Sequence, residues 1–136
     1  MKEMVVKAVV ENIEPVTDFV NEELEAVGCS PKIRAQIDIA IDELFGNIAN
    51  YAYHPEIGTA RVVVYVEENP LAVYITFIDR GVPYDPLKAE DPDVTLGLEE
   101  RDIGGLGVFM AKKFMDDIQY EYKDGQNILT VKKEIS

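Results

Sequence analysis

The stretch AIDELFGNIANYAYH, residues 40–54, decides how the rest of the chain is read. Ile41, Leu44, Ile48 and Tyr51 recur by threes and fours, the period of a helix with one apolar face. The stripe runs back through Ile37 and Ile33 to Ser30-Pro31, a cap residue followed by proline at the first helical position. Beside it lie Glu43, Asn47, Asn50 and His54, at steps of four, three and four, so that they share a second face. A solvated face prefers Lys, Glu, Gln and Ala, whereas Gly46 costs about 1 kcal/mol relative to alanine. Two readings stand: a solvated polar face, or a face turned toward a ligand, with Gly46 where a Cβ would crowd a neighbour. In the second, an asparagine oxygen is a hard ligand suited to magnesium. A glutamate one turn away can orient or deprotonate a hydroxyl nucleophile. His54 reads as a helix-end residue near the negative pole of the dipole.

Outward from this helix the chain alternates in kind. MKEMVVKAVV reads as an edge strand, and ENIEPVTDFVNEELEAVG as a helix with Val16, Phe19, Val20, Leu24 and Val27 inward and Gly28 as its stop. ARVVVYVEENPLAVYITFID holds two β-branched and aromatic runs about Glu68-Asn69-Pro70, a hairpin. IQYEYKDGQNILTVKKE repeats the form, with Asp124-Gly125 as its turn. Between the hairpins lie a glycine- and proline-punctuated loop, Gly81 to about Asp102, and a helix from about Leu106 to Asp117. The order β-α-α-β-β-loop-α-β-β predicts an α+β two-layer sandwich, a mixed, mostly antiparallel sheet covered on one face by helices. Loops longer than about 12–15 residues are usually functional lids or disordered segments, and this one exceeds that length.

Composition bounds the function. The 136 residues fit one domain, with 47% hydrophobic and 29% charged residues. The net charge of −13 argues against nucleic acid or an anionic membrane as partner and fits a partner with a basic surface. Apolar runs are short, the N-terminal residues do not look like a signal peptide, and the single Cys29 leaves no internal disulfide. A cytoplasmic protein is expected.

Two further clusters carry chemistry. In FIDRGVPYDP, Asp79 ends an apolar strand two residues before Gly81, where a carboxylate can accept a hydrogen bond from a buried ligand amine. A plain Asp-x-Gly turn is the simpler alternative. In RDIGGLGVFMAKKFMDD, Gly104, Gly105 and Gly107 lead into a helix whose exposed N–H groups suit an anion, with Arg101, Lys112 and Lys113 as added positive charge. No G-K-[ST] follows, and Met110 stands where a dinucleotide fingerprint needs its third glycine. DPDVTLGLEE fails as a calcium loop, with Leu96 sixth and Asp102 twelfth.

In this order and spacing, ELFGN, DRG and GGLG resemble the N box and two glycine boxes of the GHKL-type ATPases, which include histidine-kinase catalytic domains and bacterial anti-sigma factor serine kinases. DRGVPYDP and ELFGNIANYAY are similar to the anti-sigma kinase branch, and the likeness spans nearly the whole chain. It implies a histidine-kinase-like ATPase fold over residues 1–136, with an ATP lid at about 84–103. By the same resemblance Asn47 binds magnesium on the ATP phosphates, Glu43 positions or deprotonates the attacking hydroxyl, and Asp79 reads the adenine amine. Gly81 allows close passage of the base, while Gly105, Leu106 and Gly107, with Gly104, wrap the phosphates. Asn50 and Arg101 are further phosphate or metal-water contacts. The implied activity is a Mg-ATP-dependent serine/threonine kinase acting on a small anti-sigma antagonist protein, with a sigma factor and a second copy of the chain as further partners. The alternative is a non-catalytic ATP-binding module that switches partner binding through its lid. The last glycine box departs from the family: Gln126 and Asn127 follow Gly125 where many relatives have threonine, and Thr130 lies nearby.

Overall fold

A computed structural model describes residues 1–88 and 105–135. The elements are β1 (Lys2–Lys7), α1 (Ile13–Ala26), α2 (Pro31–Asn47), a π-helical turn (Ile48–Ala52), β2 (Thr59–Glu67), β3 (Ala72–Asp79), α3 (Gly105–Phe114), β4 (Asp117–Lys123) and β5 (Gln126–Glu134). The strands form one sheet in the order β1-β2-β3-β5-β4, and every neighbouring pair among the described residues is antiparallel. The expected α+β layering and element order are observed, with the mixed sheet sharpened to an antiparallel one.

Local sequence accounts for the joints. Gly28 adopts φ +74, and the Cys29 amide reaches back to the Leu24 carbonyl at 3.0 Å, closing α1 with a left-handed cap. Ser30 then caps α2 through its side chain, which accepts from the Ile33 amide, with Pro31 opening the helix. At the β4–β5 turn Asp124 (φ 54) and Gly125 (φ 76) are both left-handed, the two-residue form whose twist matches the flanking strands.

One face of the sheet meets the helices. Val62 and Val64 of β2, Val73, Ile75 and Phe77 of β3, and Leu129 and Val131 of β5 point inward at every second residue. Val16, Val20 and Leu24 of α1 and Ile37, Ile41, Leu44 and Phe45 of α2 complete the core. α2 packs against both α1 and α3, so it occupies the middle of the helical layer.

Three expectations are corrected. α3 ends at Phe114 rather than running to Asp117, because Asp116 is already drawn to β5: its amide donates to the Lys132 carbonyl and its carboxylate accepts from the Glu134 amide. Tyr51 leaves the core stripe and is 44% exposed, since the π-helical turn adds a residue to the local period. Gly46 is buried, yet a Cβ there would meet only Ile13 Cδ1 at 3.9 Å, ordinary contact rather than crowding.

Candidate functional site

The π-helical turn, the end of β3 and the start of β5 converge on one cleft of about 170 Å³. Its walls are mostly apolar: Leu44, Ile48 and Ala52 from the α2 side, Phe77 and Leu129 from the sheet, Val82, Pro83 and Pro86 from the segment after β3. Polar groups enter at few points, chiefly Asn47, Asp79 and Asn127, with Tyr51, Tyr84 and Tyr120 adding aromatic wall. An apolar cleft with few converging polar groups is the usual form of a small-molecule site.

Asp79 follows from the inward alternation of β3, which carries Val73, Ile75 and Phe77 to the core and leaves a carboxylate at the last inward position. It is only 6% exposed. Burial pushes its carboxyl above the usual range, against the opposing influence of hydrogen bonds from Asn127 and the Gly81 amide. Both bonds end on the same atom: Asn127 Nδ2 and Gly81 N each donate to Oδ1 at 2.9 Å. Oδ2 has no hydrogen-bond partner among the described residues. A buried acceptor left open in an apolar cleft suits a ligand donor.

Asn127 is the residue that sequence reasoning missed. It lies directly opposite Asp79 in the β3–β5 register and is also 6% exposed. Besides Asp79, its Nδ2 donates to the Val82 carbonyl at 2.9 Å and the Gly81 carbonyl at 3.4 Å. Its Oδ1 accepts from the Tyr84 amide at 3.2 Å and from the Tyr120 hydroxyl. The available signal was a polar residue at an inward position of a strand, ahead of Leu129 and Val131. Thr130 faces the other way, its hydroxyl bonded to that of Thr76 at 3.0 Å on the open side of the sheet.

Gly81 is required by protein contact. A Cβ there would lie 2.2 Å from the Ala52 carbonyl oxygen, and the neighbouring Val82 amide donates to that same oxygen at 2.9 Å. Tyr53 reinforces this junction, its hydroxyl donating to the Thr59 carbonyl and accepting from the Arg80 amide. The end of α2 is thereby held against the end of β3, which fixes one corner of the cleft.

On the α2 side Asn47 lines the cleft, and its amide has no hydrogen-bond partner among the described residues. Glu43 sits one turn earlier, half-buried and outside the lining, with its carboxyl raised first by burial and then by neighbouring Asp42. The shared face expected for Glu43, Asn47, Asn50 and His54 is interrupted after Asn47. The wider π-helical turn brings Tyr51 and Ala52 to the wall in place of Asn50, which is exposed and outside the lining.

Gly105, Leu106 and Gly107 form the first turn of α3. Arg101, Gly104 and residues 89–103 of the expected lid lie outside the described residues. Among the described residues no three His, Cys, Asp or Glu side chains gather as a metal site, and no helix is long and apolar enough to cross a membrane.

The comparisons with known proteins agree with this architecture. Residues 6–133 match the family model of the histidine kinase-like ATPase domain. A serine/threonine-protein kinase named BtrW from Bordetella bronchiseptica is 28% identical over 102 residues, 75% of this chain and 71% of that protein. A serine-protein kinase named RsbW from Bacillus thuringiensis is 32% identical over 98 residues, 69% of this chain but only 60% of that protein. The crystal structure of the RsbU and RsbW domains of a Mycobacterium tuberculosis protein superposes with a TM-score of 0.64 at 16% identity, covering 99% of this chain and 33% of that one. The histidine kinase domain of a blue-light activated histidine kinase from Erythrobacter litoralis gives 0.55 at 11% identity, over 93% and 60% of the two chains. These structural likenesses speak for the fold, and the family match covers almost all the residues that build it: the chain belongs to the histidine kinase-like ATPase domain family.

Proposed function

We propose that the chain is a Mg-ATP-dependent protein serine/threonine kinase of the anti-sigma factor type, acting in the cytoplasm on a small anti-sigma antagonist protein. The kinase names of the two relatives, each matched over more than two thirds of this chain, support the reaction class. The observation that carries the nucleotide reading is that the buried Oδ2 of Asp79 and the Asn47 amide share one cleft and neither has a hydrogen-bond partner among the described residues. In this reading Oδ2 accepts from the adenine amino group, and the apolar walls about Phe77, Ile48 and Leu129 enclose the base. Asn47 holds magnesium by its amide oxygen, and the ion supplies charge neutralisation on the phosphates. Gly105, Leu106 and Gly107 offer main-chain N–H groups to the phosphates at the start of α3, joined by Gly104 and Arg101. Residues 84–103 act as the lid.

Glu43 serves as the base. The serine or threonine oxygen of the substrate attacks the γ-phosphorus, the bond to the ADP oxygen breaks, and the hydroxyl proton passes to the Glu43 carboxylate. Its raised pKa makes it a stronger base than an exposed glutamate. The net charge of −13 suits a partner with a basic surface, and a sigma factor and a second copy of the chain are the further partners proposed.

The test is transfer of labelled phosphate from ATP to a small anti-sigma antagonist protein. Transfer by the wild type that is lost in Glu43→Ala supports the kinase. Nucleotide binding without transfer would instead make the domain a non-catalytic switch.

A further inference from the structure

Asn127 does more in this cleft than fill space. Its amide orientation is fixed by partners of unambiguous kind: the Val82 carbonyl only accepts and the Tyr84 amide only donates. The Nδ2 group is therefore the one that meets Asp79, and it does so at Oδ1, the atom that also receives the Gly81 amide. An ionised carboxylate whose two oxygens were equally free could rotate, or take up a proton and donate. Here one oxygen is occupied twice and the other is not engaged by any described residue.

We propose that Asn127 is a positioning residue that sets the cleft's choice of base, by filling Asp79 Oδ1 so that Oδ2 stands as a lone acceptor matched to an exocyclic amino group and repelling a carbonyl. The inference rests on the nucleotide reading of the same cleft and deepens it. A ring carrying an amine places a donor against Oδ2, whereas one carrying an oxygen at that position sets two acceptors against each other in a buried, low-dielectric site. Burial already favours the protonated form of Asp79, and the Asn127 hydrogen bond is the first influence opposing it. Replacing that amide by a carboxyl changes the chemistry in a definite way. Two carboxyl groups at this separation share one proton, and a shared proton can be donated to a carbonyl.

The experiment compares the affinities of the full chain for ATP and for inosine triphosphate, which carries a carbonyl in place of the amine. The wild type should prefer ATP by at least about 100-fold, as expected of a site built around one buried hydrogen bond. Asn127→Asp and Asn127→Ala should each shrink that ratio by at least about 10-fold, mainly because inosine triphosphate binds relatively better. Thr130→Val, on the open side of the same strand and bonded to Thr76 rather than to any cleft group, should keep the ratio even if it lowers the melting temperature. A ratio that stays constant in both Asn127 variants, or a parallel loss of both nucleotides, overturns the proposal and leaves ATP binding standing. Failure of the wild type to bind ATP removes the nucleotide reading itself, and this inference with it.

Discussion

At the Asp79 end of the cleft, Asn127 ties together β3, β5, the Val82–Tyr84 segment and Tyr120 through hydrogen bonds that leave Asp79 Oδ2 without a partner among the described residues. At the α2 end, the Asn47 amide and the Glu43 carboxylate have no hydrogen-bond partners among the described residues. The first end is pre-organised by protein contacts, whereas the second carries polar groups with no hydrogen-bond partner among the described residues. That division suits a base held rigidly and phosphates held by ion, water and main chain. A recognition group gains selectivity from being fixed, while a group that must handle a proton or an ion needs free lone pairs.

The largest expected break falls at the unpartnered end. Glu43→Gln should lower phosphate transfer by about 100-fold to 10,000-fold, the usual contribution of a general base, while ATP affinity changes by less than about 3-fold. Equal losses in both would reassign Glu43 to binding.

The next contrast lies between two glycines that the sequence makes look alike. Gly81→Ala would drive a Cβ to within 2.2 Å of the Ala52 carbonyl oxygen, a backbone atom that cannot rotate away. A loss of about 2–3 kcal/mol is expected by denaturant unfolding, with the corner of the cleft disturbed as well. Gly46→Ala meets only the end of Ile13 at 3.9 Å and should instead stabilise the chain by about 1 kcal/mol, the helix-propensity difference. If both variants destabilise alike, the packing about Gly46 is tighter than described.

A smaller effect sharpens the pre-organised end. Because burial raises the Asp79 carboxyl, the folded chain binds a proton more tightly than the unfolded chain does. Its contribution to stability therefore falls as pH rises from the ordinary aspartate value through the raised one. Asp79→Asn removes the buried charge and should raise the melting temperature at neutral pH by about 2–5 °C. The gain should fade in acid below the ordinary carboxylate range, where the wild-type side chain is neutral in both states.

Much of this was legible in the sequence, for local reasons. Ser30-Pro31 and Asp124-Gly125 act through their own backbone geometry, and the inward alternation of β3 delivers Asp79 without help from distant residues. What escaped was set by tertiary contact. A constant helical period sets Asn50 beside Asn47, but the helix end is held by Val82 and Tyr53, and a wider turn brings Tyr51 forward. Asn127 acquires its role only when β5 pairs with β3, which sets it opposite a residue 48 positions earlier in the chain. Gly46 looked like a site of close approach because its cost was visible and its surroundings were not.

The central claim is that the Asp79 cleft binds the adenine of ATP through a buried carboxylate. Calorimetric titration of Mg-ATP into the wild type and into Asp79→Asn tests it most directly. Asparagine keeps the shape and can still accept from Asn127 and Gly81, but it presents an amide where the amine needs an acceptor. Measurable heat with the wild type, and affinity weakened by about 100-fold or more in a variant that is folded and no less stable, is the predicted result. Equal affinity in the two proteins, or no heat from the wild type at high nucleotide concentration, would contradict it.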